Sequence, residues 1–327
     1  MSHLRRRIVA TLTAAVVLLA LPASAEVTDA QRARRGSAYA AGLQQRNGAI
    51  VAFSPIGSTS DAVIAFVAAD AQDPARRDAV GFLRRQVALG NVQTVGLVAK
   101  VVQASVAAGR DPRDFGGENL VRWLRSRIRE TGRIGNATVF DQALAVLALE
   151  ASGVAPRTTV TDWLLAAQCP VGGWSFDLPY RAGTDDGSCN DGTAGDFFSA
   201  DTNTTAYAVM ALEHLGRDDY TSPPFPFFET ARDAVHQGWE YSPGFGTDAN
   251  STALVIQAYL AGGLAIPTGG LQALRALQPD LSVGAWAYSY VGDEPGDPNL
   301  GATVGAVPAI VQVTLPFVSG AAERGRA

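Results

Sequence analysis

Two stretches of the chain carry the same polar residues in the same order. Asp201-Thr202-Asn203-Thr204-Thr205-Ala206 and Asp248-Ala249-Asn250-Ser251-Thr252-Ala253 both read Asp-x-Asn-[Ser/Thr]-Thr-Ala, and Asp141-Gln142-Ala143 is a shorter relative. Residues of these types could do two kinds of chemistry. Asp201 with Asp248, or Asp141 with Asp248, could flank a glycosidic bond as acid and base. Alternatively, the amides Asn203 and Asn250 could hold a ligand together with aromatic side chains from nearby turns, where Trp174, Trp239, Phe245, Trp286 and Tyr288 stand. A plainer reading competes with both. Asp, Asn, Ser and Thr are ordinary N-caps that accept from free backbone N–H groups and complement the helix dipole.

The elements that must position these residues are visible as apolar runs. AVIAFVAAD, VGLVAKVVQASVAAG, QALAVLALEASG, TAYAVMALEHLG, TALVIQAYLAGG and ATVGAVPAIVQ begin near Asp61, Thr94, Asp141, Asp201, Asp248 and Asn299. They are apolar on most faces and are expected to be helices buried all round, with Pro308 ending or kinking the last. Between them lie charged, amphipathic stretches such as FLRRQ, ENLVRWLRSRIRE and FETARDAVHQ. Six buried helices therefore alternate with six half-exposed ones, and every buried helix starts at the same end. The fold expected is all-α, an (α/α)6 toroid of six outer-inner helix pairs.

A repeat supports this count. Tyr39, Gln44, Gly48 and Ile50 set a register that returns as Gly81-Phe82, Gln86, Gly90 and Val92, then as Trp123-Leu124, Ile128, Gly132 and Ile134, then as Trp163, Gln168, Gly172 and Trp174. The glycines at 48, 90, 132 and 172 lie 42, 42 and 40 residues apart, a period typical of repeat architectures. Phe228, Gly238 and Trp239 continue it more loosely, as do Leu274, Gln278, Gly284 and Trp286.

The fourth unit, from Trp163 to Trp174, resembles the QW repeat of the terpenoid cyclase and protein prenyltransferase superfamily, with Val171 where an acidic or amide residue is usual. The resemblance implies outer and inner helices alternating around an α/α toroid. In class II terpene cyclases a similar position carries Asp-x-Asp-Asp, whose middle Asp protonates an alkene. Asn203 and Asn250 occupy that place, and an amide cannot donate the proton. Protein prenyltransferases hold zinc with Asp, Cys and His, but neither His214 nor His236 has a free Cys in a suitable motif. The Gly-Cys-Gly-Glu-Gln stretch of complement-like thioester domains does not occur. Transcobalamin and intrinsic factor, secreted proteins of this fold, bind cobalamin with such a barrel and a small β domain. The expectation is therefore a protein without cofactor or metal that binds an apolar or amphipathic small molecule, prenyl/isoprenoid or corrinoid-like, at the inner-helix rim. The alternative is an enzyme, either cyclase- or prenyltransferase-like or a secreted glycan-active hydrolase.

Composition and ends bound the setting. Arg5, Arg6 and Arg7, the apolar run from Ile8 to Leu21 and Ala23-Ser24-Ala25 form a secretory signal peptide over residues 1–25, followed by the toroid domain at 26–327. The chain has a formal charge of −5, and losing the three signal arginines leaves about −8, which disfavours nucleic acid. No transmembrane anchor is expected. The one lysine, Lys100, reads as a trace of GC-rich coding. Cys169 and Cys189 are expected to pair, as exported cysteines close in sequence usually do. They would close an insert at about 175–200 whose acids, Asp177 to Asp196, do not fit an EF-hand loop.

Overall fold

Six polar side chains begin the inner helices, each accepting a hydrogen bond from a backbone N–H three residues on. They are Ser54, Thr94, Thr138, Asp201, Asp248 and Asn299. The computed structural model describes residues 27–178, 189 and 199–317. The six caps open α2 (Pro55–Ala68), α4 (Val95–Ala107), α6 (Val139–Ala151), α8 (Thr202–His214), α10 (Ala249–Ala261) and α12 (Leu300–Ile310). The outer helices are α1 (Asp29–Gly42), α3 (Asp73–Ala88), α5 (Leu120–Arg125), α7 (Thr158–Ala166), α9 (Phe225–Thr230) and α11 (Gly270–Ala276). Among the described residues four short strands form two antiparallel pairs, β1 (Trp174–Ser175) with β2 (Ala200–Asp201) and β3 (Tyr290–Val291) with β4 (Glu294–Pro295).

Each inner helix packs on the next, and α12 packs on α2, so the inner ring is closed. The outer helix α1 lies against both α12 and α2, and the Asp29 carboxylate receives Arg275 from α11 at 2.6 and 2.8 Å across the seam. The fold is the expected all-α (α/α)6 toroid. Inner-helix surfaces are rich in alanine and valine, buried on nearly every face, and these small residues let neighbouring helices approach closely.

Three local expectations are corrected. The first inner helix begins at Pro55, not near Asp61, because Ser54 caps it and Pro55 is preset for the first helical position. Asp61 is therefore mid-helix. The third begins at Val139, so Asp141 lies in its first turn rather than at its cap. The outer segment expected as helix through Glu130 stops at Arg125, and Ile128 instead bridges to Ile134 around Gly132. Pro308 is accommodated inside α12, two residues before the helix ends.

The turns between outer and inner helices are saturated with hydrogen bonds. Gln168 Nε2 donates to Gly172 O and Ser222 O at 2.9 and 2.7 Å, while its Oε1 accepts from Thr221 and Ser222 N–H. Gln44 and Gln278 likewise join their own turn to the outer helix that follows. The third unit has Ile128 in that register, and Gln142 from α6 makes the equivalent bonds, to Gly132 O and Val160 O. Gly132 permits this approach, since a Cβ there would lie 1.8 Å from Thr159 O. In the fifth unit the left-handed position falls to Gln237, with φ 63°, one residue before Gly238.

Cys169 and Cys189 form a disulfide. The remainder of the expected insert from 179 to 198, and the expected signal peptide, lie outside the described residues. Among the described residues no helix is long and apolar enough to cross a membrane.

Candidate functional site

The repeated Asp-x-Asn-[Ser/Thr]-Thr-Ala pattern separates into three roles. Asp201 Oδ1 caps α8 through Thr204 N–H at 2.7 Å, and Asp248 caps α10 through Ser251 N–H at 2.8 Å and Ser251 Oγ at 2.7 Å. The threonines four residues after these two caps, and after the Asn299 cap of α12, serve the turns. Thr205 Oγ1 accepts Trp174 N–H at 2.8 Å, Thr252 Oγ1 accepts Trp239 N–H at 3.0 Å, and Thr303 Oγ1 accepts Trp286 N–H at 2.9 Å. The asparagines do neither. Asn203 and Asn250 face the lumen of the ring.

That lumen is a cavity of about 220 Å³ running down from the inner-helix starts. Ser58, Asp61, Lys100, Tyr207, Asn203, Asn250 and Gln257 supply its polar lining. Phe140, Leu254, Val304 and Pro308 supply apolar wall, and Phe53, 80% exposed, stands at the mouth. Gly301 and Gly305 bring α12 close, because a Cβ at the first would meet Phe53 at 2.8 Å and one at the second would meet Asn250 Oδ1 at 3.1 Å. Leu315, past the end of α12, lines the far end, and Thr314 Oγ1 ties that segment to Gln257 O at 3.0 Å.

The electrostatics of the lumen centre on Lys100. Burial works against its charge, but Asp61, whose two oxygens lie 2.9 and 2.7 Å from Nζ, outweighs it and holds the ammonium above its ordinary range. Burial pushes the Tyr207 phenol up, so it stays protonated. Two amide oxygens of the lumen lining are left over, as is Gln103 Oε1 outside it. Asn203 Oδ1 and Gln257 Oε1 are buried and have no hydrogen-bond partner among the described residues, although Gln257 is only 3% exposed. Buried polar atoms are rarely left so, and each calls for an explanation.

The other sequence-predicted residues are distributed differently. Trp174, Trp239 and Trp286 are fully buried beneath the outer helices, and the indoles of Trp174 and Trp286 donate to Leu164 O and Leu274 O. Asp141 lodges against α4 where Gly96 leaves space. Burial, then the nearby Asp177, raise its carboxyl, opposed by Lys100 and Thr138. Burial pushes the Asp201 carboxyl up to about 6, and its Oδ2 is unpaired among the described residues. Burial raises Asp248 too, against the N–H groups of its cap. Tyr288 lies beside Asp248 and accepts Ala249 N–H through its carbonyl. Phe245, 73% exposed, belongs to a separate rim cleft, where His236 stacks on Tyr290 at 3.7 Å and meets Asp233 Oδ2 at 2.9 Å. Among the described residues no three His, Cys, Asp or Glu side chains gather as a metal site.

Sequence reasoning missed Asp61, Lys100, Tyr207 and Gln257 as lumen residues. A signal was present, since a lone lysine inside an apolar helix needs a buried partner, and Asp61 stands one repeat upstream.

The closed ring is shared with solved proteins. The chain has the α/α-toroid fold. It is similar to the unsaturated glucuronyl hydrolase of Bacillus sp. GL1, at 14% identity and a TM-score of 0.62 over 91% of this chain and 100% of that one. It is also similar to the type II terpene cyclase MstE from Scytonema, at 12% identity and a TM-score of 0.57 over 87% of this chain and 97% of that one. A D-mannose isomerase matches at 12% identity and a TM-score of 0.57, over 86% of this chain and 95% of that one. No family model matches the chain, and no curated protein matches it. At these identities the toroid is shown as a fold, and three different chemistries share it.

Proposed function

We propose that this toroid is an exported binding protein whose lumen takes up an amphipathic small molecule. The carrying observation is the pair of buried amide oxygens, Asn203 Oδ1 and Gln257 Oε1, left without partners among the described residues in a cavity that also has apolar wall. Concave, partly apolar cavities with a few convergent polar groups are where small molecules bind. Export is supported by the N-terminal pattern of the sequence and is compatible with the disulfide. The test is native mass spectrometry of the protein purified from its own host, alongside Leu254→Trp, which fills the lumen. A bound mass present in the wild type and absent from the variant is expected. The same mass retained in Leu254→Trp moves the site out of the lumen.

An enzymatic reading draws on one observation. Burial holds the Asp141 carboxyl above the ordinary range, against the pull of Lys100 from the lumen wall, as a proton donor needs. Turnover of a glycan or prenyl chain that disappears in Asp141→Asn would replace the binding reading with this one.

A further inference from the structure

We infer that the lumen recognises a single uncharged polyhydroxylated ring, of the size of a monosaccharide or cyclitol. This rests on the lumen being the binding site and specifies what it binds. Four observations lead there.

The first is the kind of hydrogen bond the lumen lacks. Among the described residues nothing donates to Asn203 Oδ1 or Gln257 Oε1. Rotating either amide by half a turn exchanges its oxygen for its NH₂, which leaves a donor in need of an acceptor. A hydroxyl group is both donor and acceptor and satisfies either orientation. A hydrocarbon chain satisfies neither and would seal both amides away from water. Tyr207 adds a protonated phenol on the same wall, again matched by a hydroxyl.

The second is charge. Lys100 is the cation of the lumen lining and Asp61 its anion, and they lie 2.7 Å apart. The pair is already neutral. An anionic ligand would have to compete with Asp61 for Lys100, and a cationic one with Lys100 for Asp61. A neutral ligand disturbs neither, and leaving a buried charge unpaired is costly.

The third is shape. Leu254 and Val304 share the lumen with Asn250 and Gln257, so apolar and amide surfaces lie side by side in it. A pyranose or cyclohexane polyol has C–H faces and a hydroxylated perimeter, which suits such a wall.

The fourth is volume. About 220 Å³ is half again the roughly 150 Å³ cavity that admits benzene. That is room for one ring with its oxygens. A disaccharide, a farnesyl chain or a corrin macrocycle would have to project past Phe53.

The test is calorimetry on the mature protein with glucose, mannose, galactose, myo-inositol, maltose, glucuronate and farnesol as probes. Expected is binding of at least one neutral single-ring polyol, more tightly than its charged or two-ring relatives. Asn203→Leu and Gln257→Leu should each weaken it at least tenfold while the thermal midpoint stays within a few degrees of wild type. Polyol binding that survives both substitutions overturns the assignment to these amides. If farnesol binds, Leu254→Trp abolishes that binding, and no polyol binds, the ligand class is wrong while the lumen remains the site. If no polyol binds and native mass spectrometry finds the lumen-filled variant unchanged, both inferences fall.

Discussion

Gln142 and Gln257 are the same residue, both almost fully buried, in inner helices of the same ring, yet they live in opposite conditions. Gln142 accepts Ile134 N–H at 2.9 Å and donates to Gly132 O and Val160 O at 3.0 and 3.2 Å. Gln257 has a single long bond, to Ala253 O at 3.4 Å, and its Oε1 has no partner among the described residues. The first closes a turn between units and the second faces the lumen. The difference shows where the molecule spends polar groups on holding itself together and where it leaves them open to something else.

The comparison can be broken most forcefully at Gln142. Replacing it by Leu strands one N–H and two carbonyls in the core, at roughly 1–3 kcal/mol each. Gln142→Leu should lose about 4 kcal/mol in a urea titration, and a smaller loss would mean that the turn rearranges easily.

Asp201 offers a pH-dependent version. Its folded carboxyl, at about 6, lies above the ordinary 3.8, so the folded state holds a proton that the unfolded state releases. Stability should then fall as pH rises from about 4 to about 6 and level off above, by on the order of 3 kcal/mol from this group. Asp201→Asn keeps the cap and removes the charge. It should flatten that window and exceed wild type in stability at pH 7, as read from thermal midpoints across pH. An unchanged slope would place the titration elsewhere.

Gln257→Leu is the counterpart of the first substitution. Exchanging an unsatisfied amide for an apolar group of similar size should leave stability unchanged or raise it by about 1 kcal/mol. A loss like that of Gln142→Leu would make Gln257 structural. The smallest effect concerns the fifth turn. Gln237→Gly relieves a left-handed residue and should gain about 0.5 kcal/mol, provided that its side-chain bond to Ala234 O contributes little.

Much of the ring was legible because its causes are local. Thr94, Asp201, Asp248 and Asn299 cap the helices that follow them, and the long apolar runs have nowhere to go except the inside. The start at Pro55 was obscured by polar Ser58, Thr59 and Ser60, which are buried because they bond within the turn and to their own helix. The exchange of Ile128 for Gln142 was invisible to a register of single positions. What the turn conserves is an amide at one place in space, and two different helices can deliver it. Their position near the inner-helix starts predicts rim residues for the tryptophans, but a large side chain two residues past a left-handed position, Gly172, Gln237 or Gly284, folds back under the outer helix. The lumen was least legible. Asp61, Lys100 and Gln257 lie in three different repeats, and only ring closure brings them around one cavity.

The segment carrying Leu315 lies along the lumen opposite Phe53, tied by Thr314 to Gln257 O. A molecule taken up past Phe53, as proposed above, travels toward that segment and leaves by the same route in reverse. By microscopic reversibility, a side chain at the mouth changes the rates of arrival and departure along this route together while leaving the affinity nearly untouched.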